Sequence, residues 1–421
     1  MTRRYFGTDG VRGIVGETLT LDLVERLGRA AAAWTPAEAV LIGRDTRGSG
    51  PALERALAKG VCSAGKTAAL GGVLPTPAVA LLAETRLGAV VSASHNPPEY
   101  NGVKLFAPGG HKLADADEET IEALLAEPPG AEGEVREEER PAERYLELIL
   151  DRFGSSLRGL RIAVDCANGA YSHIAPQAFQ ALGASVSAVG AEPDGRNINV
   201  GCGATDLSLL QRTVRGGAFD LGVAFDGDGD RLLAVDGAGE PVDGDQILAV
   251  LALHLGVDTV AVTTMTNLGF HRLMEERRIR VLTTDVGDRY VLEALRRDKA
   301  LLGGEQSGHI VYLRDHVTGD GLAAALLLCR ALEGRSLTEA AAVMRRFPQA
   351  RKDVRVQEKA LSQALLGEIA RINAELGPEG RALVRPSGTE PLVRVLVEAP
   401  GLAKAREVCD TIATLVRREL G

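Results

Sequence analysis

Three carboxylates separated by single glycines are the residues of this chain best suited to chemistry: Asp226, Asp228 and Asp230, followed at once by Arg231. They come directly after an apolar run, residues 221–225, that is typical of a buried strand. Because glycine lets the backbone bend sharply, the three carboxylates can converge on a hard divalent cation such as Mg²⁺. Arg231 can hold a phosphate oxygen. The sequence therefore predicts a magnesium site that also binds phosphate.

The aspartate stretch has two other interpretations. An acidic hairpin turn would also use Asp-Gly pairs. A calcium loop between two helices would need a glutamate seven residues after the third aspartate, and none stands there. On this motif alone, the acidic turn remains an open alternative. The other polar loops of the chain argue against it.

A serine, Ser94, ends a second strand pattern and is followed by His95, Asn96 and a proline. Ser94 and His95 could form a hydrolase pair, but adjacent residues rarely align as nucleophile and base, and the chain has no G-x-S-x-G motif. Ser94 could also simply cap a turn. A third interpretation is that Ser94 accepts a phosphoryl group near a bound metal and basic residues such as Lys104. This interpretation accounts for all of these features, because phosphoryl transfer depends on positioning and charge neutralisation. We favour this third interpretation.

The chain has other glycine-bearing polar loops. The loop at 6–13 places Arg12 between glycines, which suits an anion. The loop at 303–309 follows a short predicted strand. The loop at 385–391 lies between two predicted strands and suits phosphate better than a plain turn, since it combines a guanidinium, two hydroxyls and a glycine amide. These four residues are Arg385, Ser387, Gly388 and Thr389.

The order of predicted elements indicates three α/β segments followed by a smaller α+β segment. In each α/β segment a strand ends in a polar loop, and ligands of such sheets bind beyond the carboxyl ends of the strands. The acidic stretch between residues 115 and 144 is predicted to be a solvated linker without chemistry. The predicted domains are 1–142, 143–241, 242–351 and 352–421.

The composition is that of an ordinary globular protein, with 45% hydrophobic and 25% charged residues in 421. The net charge of −9 argues against a nucleic-acid-binding surface. The first residues lack a signal peptide's apolar core, and no apolar run is long enough to span a membrane. Five scattered cysteines form no metal-binding spacing, which predicts reduced thiols in the cytoplasm. They are Cys62, Cys166, Cys202, Cys329 and Cys409.

Five motifs together resemble the α-D-phosphohexomutase family. They are FGTDGVRG at 6–13, SASHNP at 92–97, DGDGDR at 226–231, GEQSGH at 304–309 and RPSGTEP at 385–391. The resemblance covers essentially the whole chain, with the motifs in the family's order and spacing. It implies three similar α/β domains with mixed sheets plus a small α+β, TBP-like C-terminal domain, all around a central cleft.

The resemblance also implies a role for each motif. Ser94 would carry the phosphoryl group and, with Asp226, Asp228 and Asp230, hold one Mg²⁺ per subunit. The residues expected to line the reacting phosphate are Arg12, Lys104, Arg231 and His309. Glu305 and Ser307 would contact sugar hydroxyls. The residues expected to grip the other phosphate are Arg385, Ser387, Gly388 and Thr389. Lys104 and His309 are both candidates for general acid or base.

The reaction implied is the interconversion of glucosamine 6-phosphate and glucosamine 1-phosphate through a bisphosphorylated sugar, on the route to UDP-N-acetylglucosamine. Glucose or glucosamine 1,6-bisphosphate would activate the enzyme by phosphorylating Ser94. The partner is a small sugar phosphate, with no nucleic acid and no membrane; a homodimer is compatible with the family. Five features resemble the glucosamine branch of the family: the form FGTDGVRG at 6–13, Asn197-Ile198-Asn199, the run at 202–206, VGDRYV at 286–291 and Gln306.

Three rival functions remain open at this point. A mutase of the same family acting on glucose or mannose phosphates is the nearest, because Tyr100 stands where the glucosamine branch usually has aspartate. A phosphatase would need Asp226 or Asp228 as nucleophile in a D-x-D-x-T-like loop, and Asp230 occupies the threonine position. A non-catalytic sugar-phosphate-binding protein would not need Ser94 beside intact metal carboxylates.

Overall fold

The computed structural model describes residues 4–7, 9–130, 132–387 and 391–421. These residues form two bodies. The larger contains the described residues up to Met265 together with Ile279–Val343, and the smaller contains Thr266–Arg278 and Met344–Gly421. Across these ranges no helix is both long and apolar enough to cross a membrane. The described strands form three sheets in the larger body and one in the smaller.

The first sheet is mixed, with strand order β1-β2-β6-β5-β3-β4-β8 and β7 paired to β6. The strands are β1 (Phe6–Gly7), β2 (Gly10–Ile14), β3 (Ala39–Arg44), β4 (Thr67–Val73), β5 (Leu87–Val91), β6 (Tyr100–Ala107), β7 (His111–Lys112) and β8 (Val135–Glu137). The helices are α1 (Leu21–Trp34), α2 (Gly50–Cys62), α3 (Thr76–Ala83), α4 (Asp115–Ala123) and α5 (Pro141–Phe153). Helix α1 begins after Thr20, whose hydroxyl accepts a hydrogen bond from the Leu23 amide. All five residues of β5 are buried, as expected for a central strand.

Two predictions for this segment need correction. The first glycine-rich motif was expected to be a loop, but Phe6–Gly7 and Gly10–Ile14 pair as antiparallel strands. The acidic stretch at 115–144 was expected to be a solvated linker, but it contains α4 and β8, and Glu118 is buried. Gly10–Ile14 also pairs with β6, and β8 pairs with β4, so each segment is ordered in part by a strand far away in the sequence.

Glu118 is buried because Arg289, on a helix 171 positions later in the chain, contacts it. The guanidinium lies 2.6 Å from Glu118, donates to the carbonyl of Leu113 at 2.9 Å and pairs with Asp115. We expect Arg289→Ala to lower the free energy of unfolding by about 3 kcal/mol, because it removes the guanidinium that a buried carboxylate contacts. Urea denaturation measures this.

The control for this prediction is Arg297→Ala. Arg297 has a side chain 72% exposed and pairs with Asp298, so its loss should change the free energy of unfolding by less than about 0.5 kcal/mol. The double variant Arg289→Met with Glu118→Leu should regain most of the loss. An Arg289→Ala protein as stable as the Arg297→Ala protein would contradict this account.

The second and third sheets share one plan, in which parallel strands are followed by an antiparallel one. The second, ordered β10-β9-β11-β12-β13, contains β9 (Arg161–Asp165), β10 (Ser185–Val189), β11 (Leu221–Phe225), β12 (Leu232–Asp236) and β13 (Pro241–Val242). The third, ordered β15-β14-β16-β17, contains β14 (Thr259–Thr263), β15 (Arg280–Thr284), β16 (Leu302–Gly304) and β17 (Ile310–Tyr312).

The helices that follow these strands are α6 (Ile174–Ala181), α7 (Ser208–Gly216), α8 (Gly244–Leu255), α9 (Leu268–Glu276), α10 (Asp288–Asp298), α11 (Gly321–Leu332) and α12 (Leu337–Ala341); α9 belongs to the smaller body. In all three sheets, the chain reverses through a polar motif between a strand with a parallel neighbour and the next, antiparallel strand. The three reversals join β5 to β6, β11 to β12 and β16 to β17. The prediction that one structural plan is used three times is consistent with this shared position.

The smaller body has an antiparallel sheet ordered β18-β20-β19. Besides α9, its elements are β18 (Gln349–Arg355), α13 (Gln363–Leu376), β19 (Arg381–Pro386), β20 (Leu392–Glu398) and α14 (Leu402–Leu420). Short 3₁₀ turns occur at Leu124–Ala126, Gly203–Thr205 and Gly377–Glu379. The predicted fold class of α/β segments with mixed sheets plus a terminal α+β unit is confirmed. The predicted domain boundaries stay predictions.

Candidate active site

The three predicted aspartates converge in the larger body. Asp226, Asp228 and Asp230 are buried, and each offers a carboxylate oxygen within 4.8 Å of the others. The residues between the aspartates must be glycines because neighbouring groups leave no room for a side chain. A Cβ on Gly229, whose φ is +79°, would lie 2.4 Å from the ring of Tyr171. A Cβ on Gly227 would lie 2.8 Å from the carbonyl oxygen of Ser94. The loop is therefore packed on both sides.

Charge at this cluster is unevenly distributed. Burial and the neighbouring Asp230 and Asp228 carboxylates raise the pKa of Asp226 well above its usual value. Burial also opposes the charge on Asp230, but Lys104, His309 and Arg231 outweigh it and hold its pKa well below the usual range. Among the described residues, none donates a hydrogen bond to the buried Oδ1 of Asp228 or of Asp230. Buried carboxylate oxygens without donors fit a hard cation such as Mg²⁺.

Ser94 lies against this cluster. It follows the buried strand β5, is 1% exposed, and donates its hydroxyl to Oδ2 of Asp226 at 2.6 Å. Its φ of +52° is unusual for a residue with a side chain. The next residue, His95, has its Nδ1 3.4 Å from the Ser94 hydroxyl. Burial, with Arg231 and Arg12 nearby, lowers the pKa of His95 to about 4, so the ring is neutral at pH 7.

Lys104 is the central cation of the site. Its ammonium lies 2.8 Å from Asp228, 3.2 Å from Asp230 and 2.8 Å from Asp9. Burial disfavours its charge, but these carboxylates raise its pKa well above the usual value. Arg12 pairs with Asp9, and Arg231 lies 3.9 Å from Asp230. The structure thus brings together the cations that the motifs predict.

His309 lies on the other side of Asp230. Its Nδ1 is 3.7 Å from Asp230, and its Nε2 is 3.4 Å from Asp288. Burial lowers the pKa of His309, but Asp288 and Asp230 outweigh it and raise the value above normal. Asp288 also pairs with Lys112, which reaches Asp9 at 2.8 Å.

Sequence reasoning did not assign Asp9, Lys112 and Asp288 to the site. Asp9 and Asp288 lay within motifs already noted, FGTDGVRG and VGDRYV, so a carboxylate within a motif was an available signal. Lys112 lay outside every motif, and nothing in the sequence indicated that it would meet Asp9 and Asp288.

The predicted sugar-contacting residues lie on the reversal between β16 and β17. Glu305 accepts a hydrogen bond from the Gly287 amide at 3.1 Å, and burial raises its pKa. Ser307 is exposed. Glu305 is thereby joined to the same segment as Asp288.

The predicted distal phosphate loop begins in the smaller body at the end of β19. Arg385 lies on that strand, and Ser387 follows it as a buried residue whose carbonyl accepts from Lys359 at 3.0 Å. Gly388 and Thr389 lie outside the described residues. The roles of all four remain predictions.

Comparison with known proteins places this geometry in a family. Models of the phosphoglucomutase/phosphomannomutase α/β/α domains I, II and III match residues 3–129, 143–239 and 243–347, and the C-terminal domain model matches 341–415. A relative named phosphoglucosamine mutase, from Desulforudis audaxviator, is 48% identical over 98% of this chain and 97% of its own. The chain belongs to the phosphoglucomutase/phosphomannomutase family.

A second relative supports the same placement, and a solved structure shares the fold. A phosphoglucosamine mutase from Saccharopolyspora erythraea is 49% identical over 98% of this chain and 99% of its own. In fold, the chain resembles an N-acetylphosphoglucosamine mutase from Aspergillus fumigatus, solved in complex with GlcNAc-6P and magnesium. That structure has a TM-score of 0.72 and 19% identity, with 99% of this chain and 96% of that chain covered. The predicted family resemblance is confirmed.

Proposed function

We propose that this protein is a mutase that interconverts glucosamine 6-phosphate and glucosamine 1-phosphate through a phosphoserine at Ser94. The observation that carries the proposal is the buried Ser94 hydroxyl, which donates to Asp226 within a cluster of three carboxylates. Relatives named phosphoglucosamine mutase match over nearly the full length of the chain, which supports the choice of sugar.

In the proposed reaction, phosphorylated Ser94 gives its phosphoryl group to the free hydroxyl oxygen of the sugar phosphate. The bond from phosphorus to Ser94 Oγ breaks as the bond to the sugar oxygen forms, and the sugar hydroxyl loses its proton. The resulting 1,6-bisphosphate then returns its other phosphoryl group to Ser94, so the enzyme ends as it began. Lys104 and His309, which lie near Asp230, remain the two candidates for moving the proton.

The proposed cofactor is one Mg²⁺ held by Asp226, Asp228, Asp230 and Ser94. When bound, it would neutralise charge on the transferring phosphoryl group. Arg12, Arg231 and Lys104 would add fixed positive charge around the same group. Glucose or glucosamine 1,6-bisphosphate is the proposed activator, since it can phosphorylate Ser94 directly.

The remaining site residues are proposed to bind the sugar phosphate. Glu305 and Ser307 would contact sugar hydroxyls. Arg385, Ser387, Gly388 and Thr389 would bind the phosphate that is not reacting, and they must accept either end of the bisphosphate. The proposed location is the cytoplasm, which suits five cysteines that are all free thiols.

The choice of sugar is tested by comparing substrates. With Mg²⁺ and a trace of glucose 1,6-bisphosphate, kcat/KM for glucosamine 6-phosphate should exceed that for glucose and mannose phosphates at least tenfold, or about 1.4 kcal/mol of differential transition-state binding. A coupled assay of each sugar 1-phosphate gives these values. A preference for mannose or glucose phosphate would refute the sugar assignment and leave the phosphoserine reaction standing.

The reaction class needs its own test. Mass spectrometry of the purified protein after incubation with the bisphosphate should place phosphate on Ser94. Phosphate on Asp226 or Asp228, with release of inorganic phosphate, would indicate a phosphatase. Sugar-phosphate binding without any transfer would indicate a binding protein.

A further inference from the structure

Arg47, which no motif assigned to the site, is buried beneath the Ser94 loop. Its side chain is 0% exposed, and among the described residues its guanidinium donates to that loop, to Tyr100 at the start of β6 and to Asp45. It reaches the carbonyls of Ser94 at 2.9 Å, Asn96 at 2.7 Å and Tyr100 at 3.0 Å, and also that of Pro97. One rigid, planar group thus fixes four carbonyls of the segment that carries Ser94.

Arg47 is itself held in place. Its Nε donates to Oδ2 of Asp45 at 3.0 Å, and its own amide donates to Oδ1 at 3.0 Å. The same Oδ2 of Asp45 accepts the hydroxyl of Ser92 at 2.6 Å, and the Ser92 oxygen accepts the Ser94 amide at 2.9 Å. The hydrogen bonds therefore connect Arg47 to both the amide and the carbonyl of Ser94.

A second donor comes from the segment before α7. The side-chain Nδ2 of Asn199 lies 2.9 Å from the Ser94 carbonyl and 3.4 Å from that of Asn96. Asn199 has a φ of +59°, a conformation that asparagine tolerates better than most residues. Gly227 of the aspartate loop lies beside the same carbonyl, where a Cβ would be 2.9 Å from Asn199 Nδ2. The Ser94 carbonyl is thus held where the two loops meet.

We propose that Arg47 and Asn199 are positioning residues that clamp the Ser94 carbonyl and keep its side chain aimed at the aspartate cluster. This inference rests on the proposed role of Ser94 as phosphate acceptor. Phosphorylation adds close to two negative charges beside three carboxylates, which would push the loop away if its backbone were free to move. Ser94 also has a left-handed φ, which is unfavourable for a residue with a side chain. Without hydrogen bonds from outside the loop, the backbone at Ser94 would relax to a more favourable φ. The clamp opposes both tendencies.

The test uses Arg47→Lys and Asn199→Ala, with Arg44→Lys as the matched control. Arg44 is the last residue of β3, three residues before Arg47. It pairs with Glu54 at 3.1 Å and makes no described hydrogen bond to the Ser94 loop. We expect kcat to fall about 30-fold or more in Arg47→Lys and about 10-fold in Asn199→Ala, while KM changes less than about threefold. The rate of Ser94 phosphorylation by glucose 1,6-bisphosphate, followed by mass spectrometry, should fall by the same factors. The control should keep kcat within about twofold.

Several outcomes separate this inference from its alternatives. If folded Arg47→Lys and Asn199→Ala proteins phosphorylate Ser94 at the wild-type rate, the clamp is refuted. Equal losses in Arg44→Lys would also refute it, since they would indicate general disturbance of the sheet. If Arg47→Lys does not fold, the milder Asn199→Ala variant decides the question by the same kcat and phosphorylation measurements. If the wild-type protein takes no phosphate on Ser94, the proposed function itself has failed.

Discussion

Replacing Ser94 with alanine should abolish mutase turnover, with kcat reduced by about 10⁴-fold or more. The substitution removes the only proposed carrier of the phosphoryl group, and the remaining cations and carboxylates can position substrate but cannot accept phosphate from it. Sugar phosphate should still bind, with a Kd within a few-fold of wild type. A coupled assay measures turnover, and calorimetry measures binding.

The control for Ser94→Ala is Ser172→Ala. Ser172 is also buried, and its hydroxyl donates to the carbonyl of Gly169 at 2.7 Å. Its loss should cost about 1 kcal/mol of stability, the usual effect of one hydrogen bond, and leave kcat nearly unchanged. Full activity in the Ser94→Ala protein would refute the phosphoserine mechanism, whatever sugar the enzyme prefers.

Replacing Asp228 with asparagine should weaken Mg²⁺ binding by about 100-fold or more and reduce kcat/KM by a similar or larger factor. The change removes one of three charges from a hard-cation site. It also disturbs the Oδ2 that now accepts from Lys104 at 2.8 Å and from Thr76. Titration calorimetry with Mg²⁺ measures the affinity. Chelation of the metal with EDTA should likewise stop the wild-type enzyme.

Asp236→Asn is the matched control for Asp228→Asn. Asp236 is also buried on the strand after the loop, but its carboxylate accepts from the amides of Ala238 and Glu240 and from the hydroxyl of Thr338. Its substitution should change stability and leave metal affinity within about twofold. An Asp228→Asn protein that binds Mg²⁺ as tightly as wild type would mean that the metal lies elsewhere.

Much of this protein follows from short-range patterns in its sequence. The buried run of β11 and the glycine-spaced aspartates predict a strand followed by converging carboxylates, and both are present. The alternation of predicted strands and helices also gives the fold class. It can be predicted because the hydrophobic periodicity of each element is contained within a few consecutive residues. The motif at 6–13 was placed in the site but not recognised as a strand pair.

The acidic stretch at 115–144 shows the limit of such patterns. Local composition indicated a solvated linker, and most of the described stretch is polar, yet Glu118 is buried by Arg289 from a distant helix. A charged side chain is rarely buried unless an oppositely charged group pairs with it, and a local sequence pattern does not contain a partner from a distant part of the chain.

The sequence by itself determined which groups are on offer: a serine after a buried strand, three converging carboxylates, and the cations Arg12, Lys104 and Arg231. Only the tertiary structure decided how these groups are paired and held. Lys104 meets Asp228 across 124 positions of sequence, Lys112 meets Asp288, and Arg47 fixes the Ser94 loop mainly through backbone carbonyls. Carbonyls are the same in every residue, so no side-chain pattern marks them as partners. The packing of strands and helices brings such groups together, and the order of the residues in the chain does not show which of them will meet.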